Sequence, residues 1–108
     1  MKVGEFLKQH FPNAYNNREE EINGANFEVN MFVEYCKKHC MNSFTKRTTT
    51  IGLDVVSVKA YAQALRVFFK KRKIKKSIDF WSEIHDFIDQ VRQNRVKVKP
   101  DYDFVTKQ

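Results

Sequence analysis

The sequence predicts an all-α domain, a small bundle of about four helices with a short β piece in the 45–56 loop or the 96–105 tail. Ten Phe, four Tyr and one Trp supply bulky material for one core in 108 residues. Only three Gly and two Pro punctuate the chain, leaving long stretches free to be helical. Apolar residues recur at helical spacing along most of the sequence. The expected organisation is one domain over 1–108: an acidic arm with a short helix at 1–24, a helical core at 25–94 and an extended tail at 95–108.

Val3 to Phe11 reads as a first short helix with Phe6, Leu7 and Phe11 inward, stopped by Pro12. Asn13 to Asn17 reads as a loop, and Glu19 to Ile22 as a further turn before Gly24. The second helix is expected from an Asn26 cap to about Met41, with Glu28 complementing the dipole of its first turn. Its apolar stripe is Phe27, Met31 and Tyr35, joined by Val33 and Cys36, and Lys37, Lys38 and His39 fall in its last turn. Residues 42–56 read as a loop in which Thr48-Thr49-Thr50-Ile51 is β-prone and Gly52 punctuates.

The third helix is the clearest element. Ser57 is its expected cap, and Val58, Tyr61, Ala62, Leu65, Phe68 and Phe69 recur on one buried face. Lys59, Gln63, Arg66, Lys70 and Lys73 occupy a different stripe. A fourth helix is expected from Ser77 or Asp79 to about Asn94. It buries Phe80, Trp81, Ile84, Phe87, Ile88 and Val91, with Asp79, Glu83, Asp86 and Asp89 on its far side. Val96 to Pro100 alternates and then breaks, as an edge strand or an extended linker does.

Formal net charge is +7 and the isoelectric point about 9.5. The excess is concentrated: net charge is −3 over 1–34, +11 over 35–76 and −1 over 77–108. Arg66, Lys70, Lys71, Arg72, Lys73, Lys75 and Lys76 bring seven cations into eleven residues with no acid between them. Like charges this close repel unless an anion offsets them, which favours a polyanionic partner. Lys46-Arg47, followed by three threonines, suits phosphate contacts as well. With Lys59 and Gln63 these residues form the candidate nucleic-acid-binding set. Lys59, Gln63 and Arg66 would reach base edges if the helix enters a major groove.

Double-stranded DNA is the preferred partner over RNA. Two other readings stay open: a solvated helix end whose cations complement the dipole, and an interaction module docking on an acidic protein surface, as a small phage or viral factor would. A membrane surface is the weakest reading, because the apolar face is needed for the core.

Other classes find little support. The start, Met1 to Phe6, has no apolar run of the secretory type, and no stretch approaches the ~18 apolar residues of a membrane span. Two cysteines one turn apart suggest free thiols in a reducing, intracellular compartment. Cys36, His39 and Cys40 share one helical face and could share a metal, with His10 or His85 as a further ligand. No second ligand pair exists, so two buried cysteines beside a histidine at the helix end is the preferred reading, with no metal or cofactor expected. No G-x-S-x-G, Walker loop or H-E-x-x-H occurs. His85, Asp86 and Asp89 read as the wet side of a helix, so no enzymatic activity is expected.

Ser57-Val58-Lys59-Ala60-Tyr61, then Leu65 and Phe68-Phe69, resembles the second helix of the core-binding domain of tyrosine recombinases. Phe32-Val33-Glu34-Tyr35 looks like that family's first helix, and Ile78-Asp79-Phe80 with Phe87-Ile88 like a later one. The resemblance spans roughly residues 27–93. It implies a helical bundle that clamps DNA, with Ser57, Lys59 and Arg66 near the phosphates. It also marks a departure, since the family's catalytic domain has no counterpart in this sequence.

Overall fold

The computed structural model describes residues 3–13, 18–41 and 51–98. Among them are five helices: α1 (Val3–His10), α2 (Arg18–Asn26), α3 (Val29–His39), α4 (Val55–Lys71) and α5 (Ile78–Arg92). Two-residue strands β1 (Ile51–Gly52) and β2 (Lys97–Val98) pair antiparallel, Ile51 with Val98 and Gly52 with Lys97. The all-α class therefore holds, and the expected β piece draws on both candidate segments. No helix of the described residues is long and apolar enough to cross a membrane.

α4 organises the core. Val58, Tyr61, Ala62, Leu65, Phe68 and Phe69 are all buried, the set its 3.6-residue period selects. Phe11, just past α1, stacks on Phe68 with centroids 4.4 Å apart. Phe6 of α1 meets Tyr35 of α3 at 4.2 Å and Tyr61 of α4 at 5.1 Å. Phe32 of α3 meets Phe87 of α5 edge-on at 6.1 Å. Rings of this size bury large areas and favour offset or edge contacts, so a few of them tie four elements together.

Three expected helix starts move. α4 begins at Val55, one turn earlier than the expected Ser57 cap. Asp54 is the cap: its Oδ1 accepts from the Val56 N–H at 3.3 Å, and its Oδ2 accepts from the Ser57 hydroxyl at 2.7 Å. Two β-branched valines hid this first turn from propensity. Asn26 caps nothing; it ends α2, and α3 starts after Glu28, whose carbonyl accepts from the Met31 and Phe32 N–H groups at 3.0 and 3.3 Å. Counting from Phe27, which lies outside α3, put its stripe out of phase. Phe32, Tyr35 and Cys36 are buried, with Val29 and Val33 packed against them, while Met31 is 44 % exposed. Finally, the single turn expected at 19–22 is a nine-residue helix, α2.

α2 persists through Gly24 because of what packs there. A Cβ on Gly24 would overlap Ile74 Cδ1 and lie 3.3 Å from Phe69 Cε1. The missing side chain thus admits the turn after α4. Glu20 is 1 % exposed, and its Oε1 accepts from the Asn13 N–H at 2.5 Å, binding α2 to the turn behind α1.

α4 and α5 end alike. After α4, Lys73 adopts φ 56°, the Ile74 N–H donates to Phe69 O at 2.9 Å and the Lys73 N–H to Lys70 O at 3.2 Å. After α5, Asn94 has φ 62°, with the Arg95 N–H on Gln90 O at 2.8 Å and the Asn94 N–H on Val91 O at 2.9 Å. Both are Schellman closures. Asn tolerates the left-handed conformation; Lys carries its full steric cost.

Gly24→Ala is expected to destabilise the fold by about 1–3 kcal/mol through overpacking. Gly24→Ala with Ile74→Val should recover part of that loss, read from urea midpoints.

A second expectation concerns pH. His10 lies 5.1, 5.3 and 5.4 Å from the Phe6, Phe27 and Tyr35 rings, and His39 lies 4.4 Å from Tyr35. The Nε2 atoms of both are buried with no hydrogen-bond partner among the described residues. Burial holds both imidazoles below the usual 6.5, helped by His39 in the case of His10 and by Lys38 in the case of His39. The folded state therefore favours the neutral rings. Below pH 6.5 the unfolded chain takes up protons that the folded chain resists, so stability is full above that pH and falls as pH drops through it. Lowering the pH from about 7.5 to about 5.5 should reduce the urea midpoint. His10→Phe should shrink the reduction.

Candidate nucleic-acid interface

The face that α4 does not bury is cationic. Lys59, Gln63, Arg66 and Lys70 are all exposed and lie at i, i+4, i+7 and i+11, along one edge of the helix. Lys59 to Lys70 spans about 16 Å of helix. Lys71 is exposed one position further on, and Lys73 projects from the left-handed turn. Among the described residues no carboxylate lies within ion-pair distance of Lys59, Lys70, Lys71, Lys73 or Lys75; the ion pair there is Arg92–Asp89, 3.5 Å apart on α5.

The remaining candidates separate from this edge. Arg72 is half-buried with its guanidinium 4.0 Å from the Phe68 ring centroid. Lys76 is half-buried and donates to the Ala25 carbonyl at 2.7 Å, with its ammonium 5.0 Å from the Phe80 ring centroid. Burial there lowers its pKa from the usual value, partly offset by Glu28. Lys75 and Lys76 line a cleft of about 480 Å³ shared with Glu28, Asp79 and Glu83, so the cleft carries both signs of charge. The cationic cluster of the sequence thus divides. Lys59, Arg66, Lys70, Lys71 and Lys73 share the α4 edge and its end, whereas Arg72 and Lys76 brace the fold. Lys46 and Arg47 lie outside the described residues. Ser57 turns its hydroxyl to Asp54 rather than outward.

A further constellation borders the edge. The Arg66 guanidinium lies 4.6 Å from the centroid of the Trp81 ring, and its Nη2 is 3.2 Å from His85 Nε2. Trp81 is half-buried rather than a full core residue; its ring packs edge-on against Phe80 at 4.9 Å and Phe69 at 6.1 Å. Trp81 and His85 stand one turn apart on the side of α5 that faces α4. Their i, i+4 spacing was visible in the sequence, but the crossing that brings Arg66 to them was not.

Within the cysteine–histidine triplet the two cysteines are occupied with each other. Cys36 and Cys40 are buried and share a hydrogen bond, which with burial pushes the Cys36 thiol far above its usual range. Neutral thiols are poor nucleophiles. No group of three or more His, Cys, Asp or Glu among the described residues is placed to hold a metal ion.

The chain matches no family model, no curated protein and no solved structure.

Lys76→Ala should lower stability by about 1 kcal/mol, by removing a charged donor from the Ala25 carbonyl. Lys75→Ala should stay within about 0.5 kcal/mol. Thermal unfolding of the two variants side by side makes the comparison.

Proposed function

We propose that the protein binds double-stranded DNA through the cationic edge of α4, with Lys59, Arg66, Lys70, Lys71 and Lys73 on the phosphates and Gln63 among them. The observation that carries this reading is the row of exposed cations with no carboxylate to neutralise them. Such a row favours an external polyanion, and counterion release supplies the binding free energy. Asp86 and Asp89 are exposed on the side of α5 away from its buried residues, and Asp79 and Glu83 line the cleft towards α3. Repulsion there would steer a nucleic acid towards α4.

Lys73 adds support. A left-handed position after a helix is ordinarily glycine's, and a lysine there keeps a cation at a conformational cost. The similarity to the recombinase core-binding domain agrees with this assignment for Lys59 and Arg66, and on that likeness the protein would be a DNA-clamping helical module.

A second reading has one observation in its favour. Between α1 and α4, Leu7, Ala60, Ala64, Val67 and Phe68 line a groove of about 370 Å³ that ends at Lys71 and Arg72. An acidic amphipathic helix would find both an apolar seat and cations there.

The test is fluorescence anisotropy with a labelled duplex of about 20 bp across a salt series. Binding should weaken steeply with salt. Lys59, Lys70, Lys71 and Lys73 changed together to Ala should flatten the log–log slope by up to about 3.6. No binding at about 50 mM salt would sink the DNA reading. Lys73→Gly gives an independent check: stability should rise by up to about 1 kcal/mol while affinity for the duplex falls.

A further inference from the structure

We infer that Trp81 is a stacking platform for one unpaired nucleobase, kept covered by Arg66 until a nucleic acid arrives. This rests on the duplex-binding reading and deepens it. The preferred ligand becomes a duplex that ends in, or contains, unpaired bases. The phosphates lie along α4 and one base lies against the Trp81 ring, beside Arg66 of α4.

Three observations converge on this assignment. First, Trp81 is the one large aromatic of α5 that is not buried; Phe80 and Phe87 are. A base can stack only on a ring that solvent reaches. Second, what covers the indole is a planar cation 4.6 Å from its centroid. A guanidinium plane and a nucleobase use an aromatic face in the same way. An exposed cation–π contact is the weaker of the two, so a base competes for the ring effectively. Third, Arg66 belongs to both groups. It is one residue of the Lys59–Gln63–Arg66–Lys70 edge and also the lid on Trp81. Exchange of indole for phosphate therefore costs the guanidinium no unpaired state.

His85 completes the arrangement. Its Nε2 accepts from Arg66 Nη2 at 3.2 Å, which requires the ring proton on Nδ1 in the neutral form. When Arg66 swings to a phosphate, that Nε2 is left one turn from Trp81 on the same helix, free to accept from an N–H of the stacked base. Both contacts come from side chains of one helix, α5, which is packed on α4 through Phe69 and Phe80, so the platform is formed before binding.

Trp81 is the only tryptophan in the chain, so its emission reports this site alone. The experiment compares the blunt duplex of about 20 bp with the same duplex extended by four unpaired thymidines. Anisotropy reads affinity and unlabelled DNA reads tryptophan emission. The overhang should tighten binding about tenfold, the equivalent of one stacked base. It should also quench Trp81, where the blunt duplex does not. Trp81→Leu, which preserves apolar packing against Phe69 and Phe80, should reduce the overhang's affinity to that of the blunt duplex.

Equal affinities with no quench would overturn the platform and leave the duplex reading standing. Equal quenching by both ligands would also overturn it, since proximity rather than stacking would then account for the signal. Failure of both ligands to bind would remove the duplex reading and the platform with it.

Discussion

The burial of one face of α4 governs the rest of the molecule. Val58, Leu65 and Phe69 are enclosed almost completely, and their 3.6-residue spacing leaves no freedom in where the intervening residues go. Each of the other helices meets this face or its continuation: α1 through Phe6 and Phe11, α2 through Gly24 against Phe69, α3 through Tyr35 against Tyr61, and α5 through Trp81 against Phe69. The lysines of the opposite edge are held in a row because the aromatics cannot turn. The cationic surface is thus a by-product of core packing in its geometry, though not in its chemistry. Any polar residues would have served the fold at positions 59, 63 and 70.

How much of this was legible differs by element and for identifiable reasons. α4 and α5 were readable because each carries its whole apolar set within one uninterrupted period; of the two expected starts of α5, Ser77 is the cap, its Oγ accepting from the Phe80 N–H at 3.1 Å. α3 was misphased by Phe27, which is buried but sits before the helix begins. α2 was underestimated because Ile74 and Phe69 dock on Gly24, contacts between residues 50 and 45 positions apart. Local propensity carries no trace of such a contact. The cationic residues were all legible as a composition, but their division was not. Only the packing shows that Arg72 lies on Phe68 and that Lys76 reaches back to Ala25.

Two forms of arginine and lysine use coexist within a few residues. Arg72 and Lys76 lay their stems and charged heads over aromatic rings at the edge of the core, where they cover apolar surface. Lys70, Lys71 and Lys73 reach solvent. Arg66 belongs to both kinds, stacked on Trp81 yet exposed. Substituting a basic residue in this region therefore changes either stability or surface potential, and the burial of its stem decides which.

The β1–β2 ladder has a consequence for the order of folding. It joins Ile51 to Val98 and Gly52 to Lys97, segments that flank the α4–α5 hairpin and are far apart in sequence. Closing so long a loop costs chain entropy that two residue pairs repay poorly. The helical hairpin, whose contacts are local, can assemble without it. The ladder is then the final element to close during folding and the first to open in the native state. Amide exchange should find the hydrogen-bonded amides of the ladder less protected than those of Leu65 and Phe69. A chain that has lost this clasp would still carry the whole cationic edge of α4.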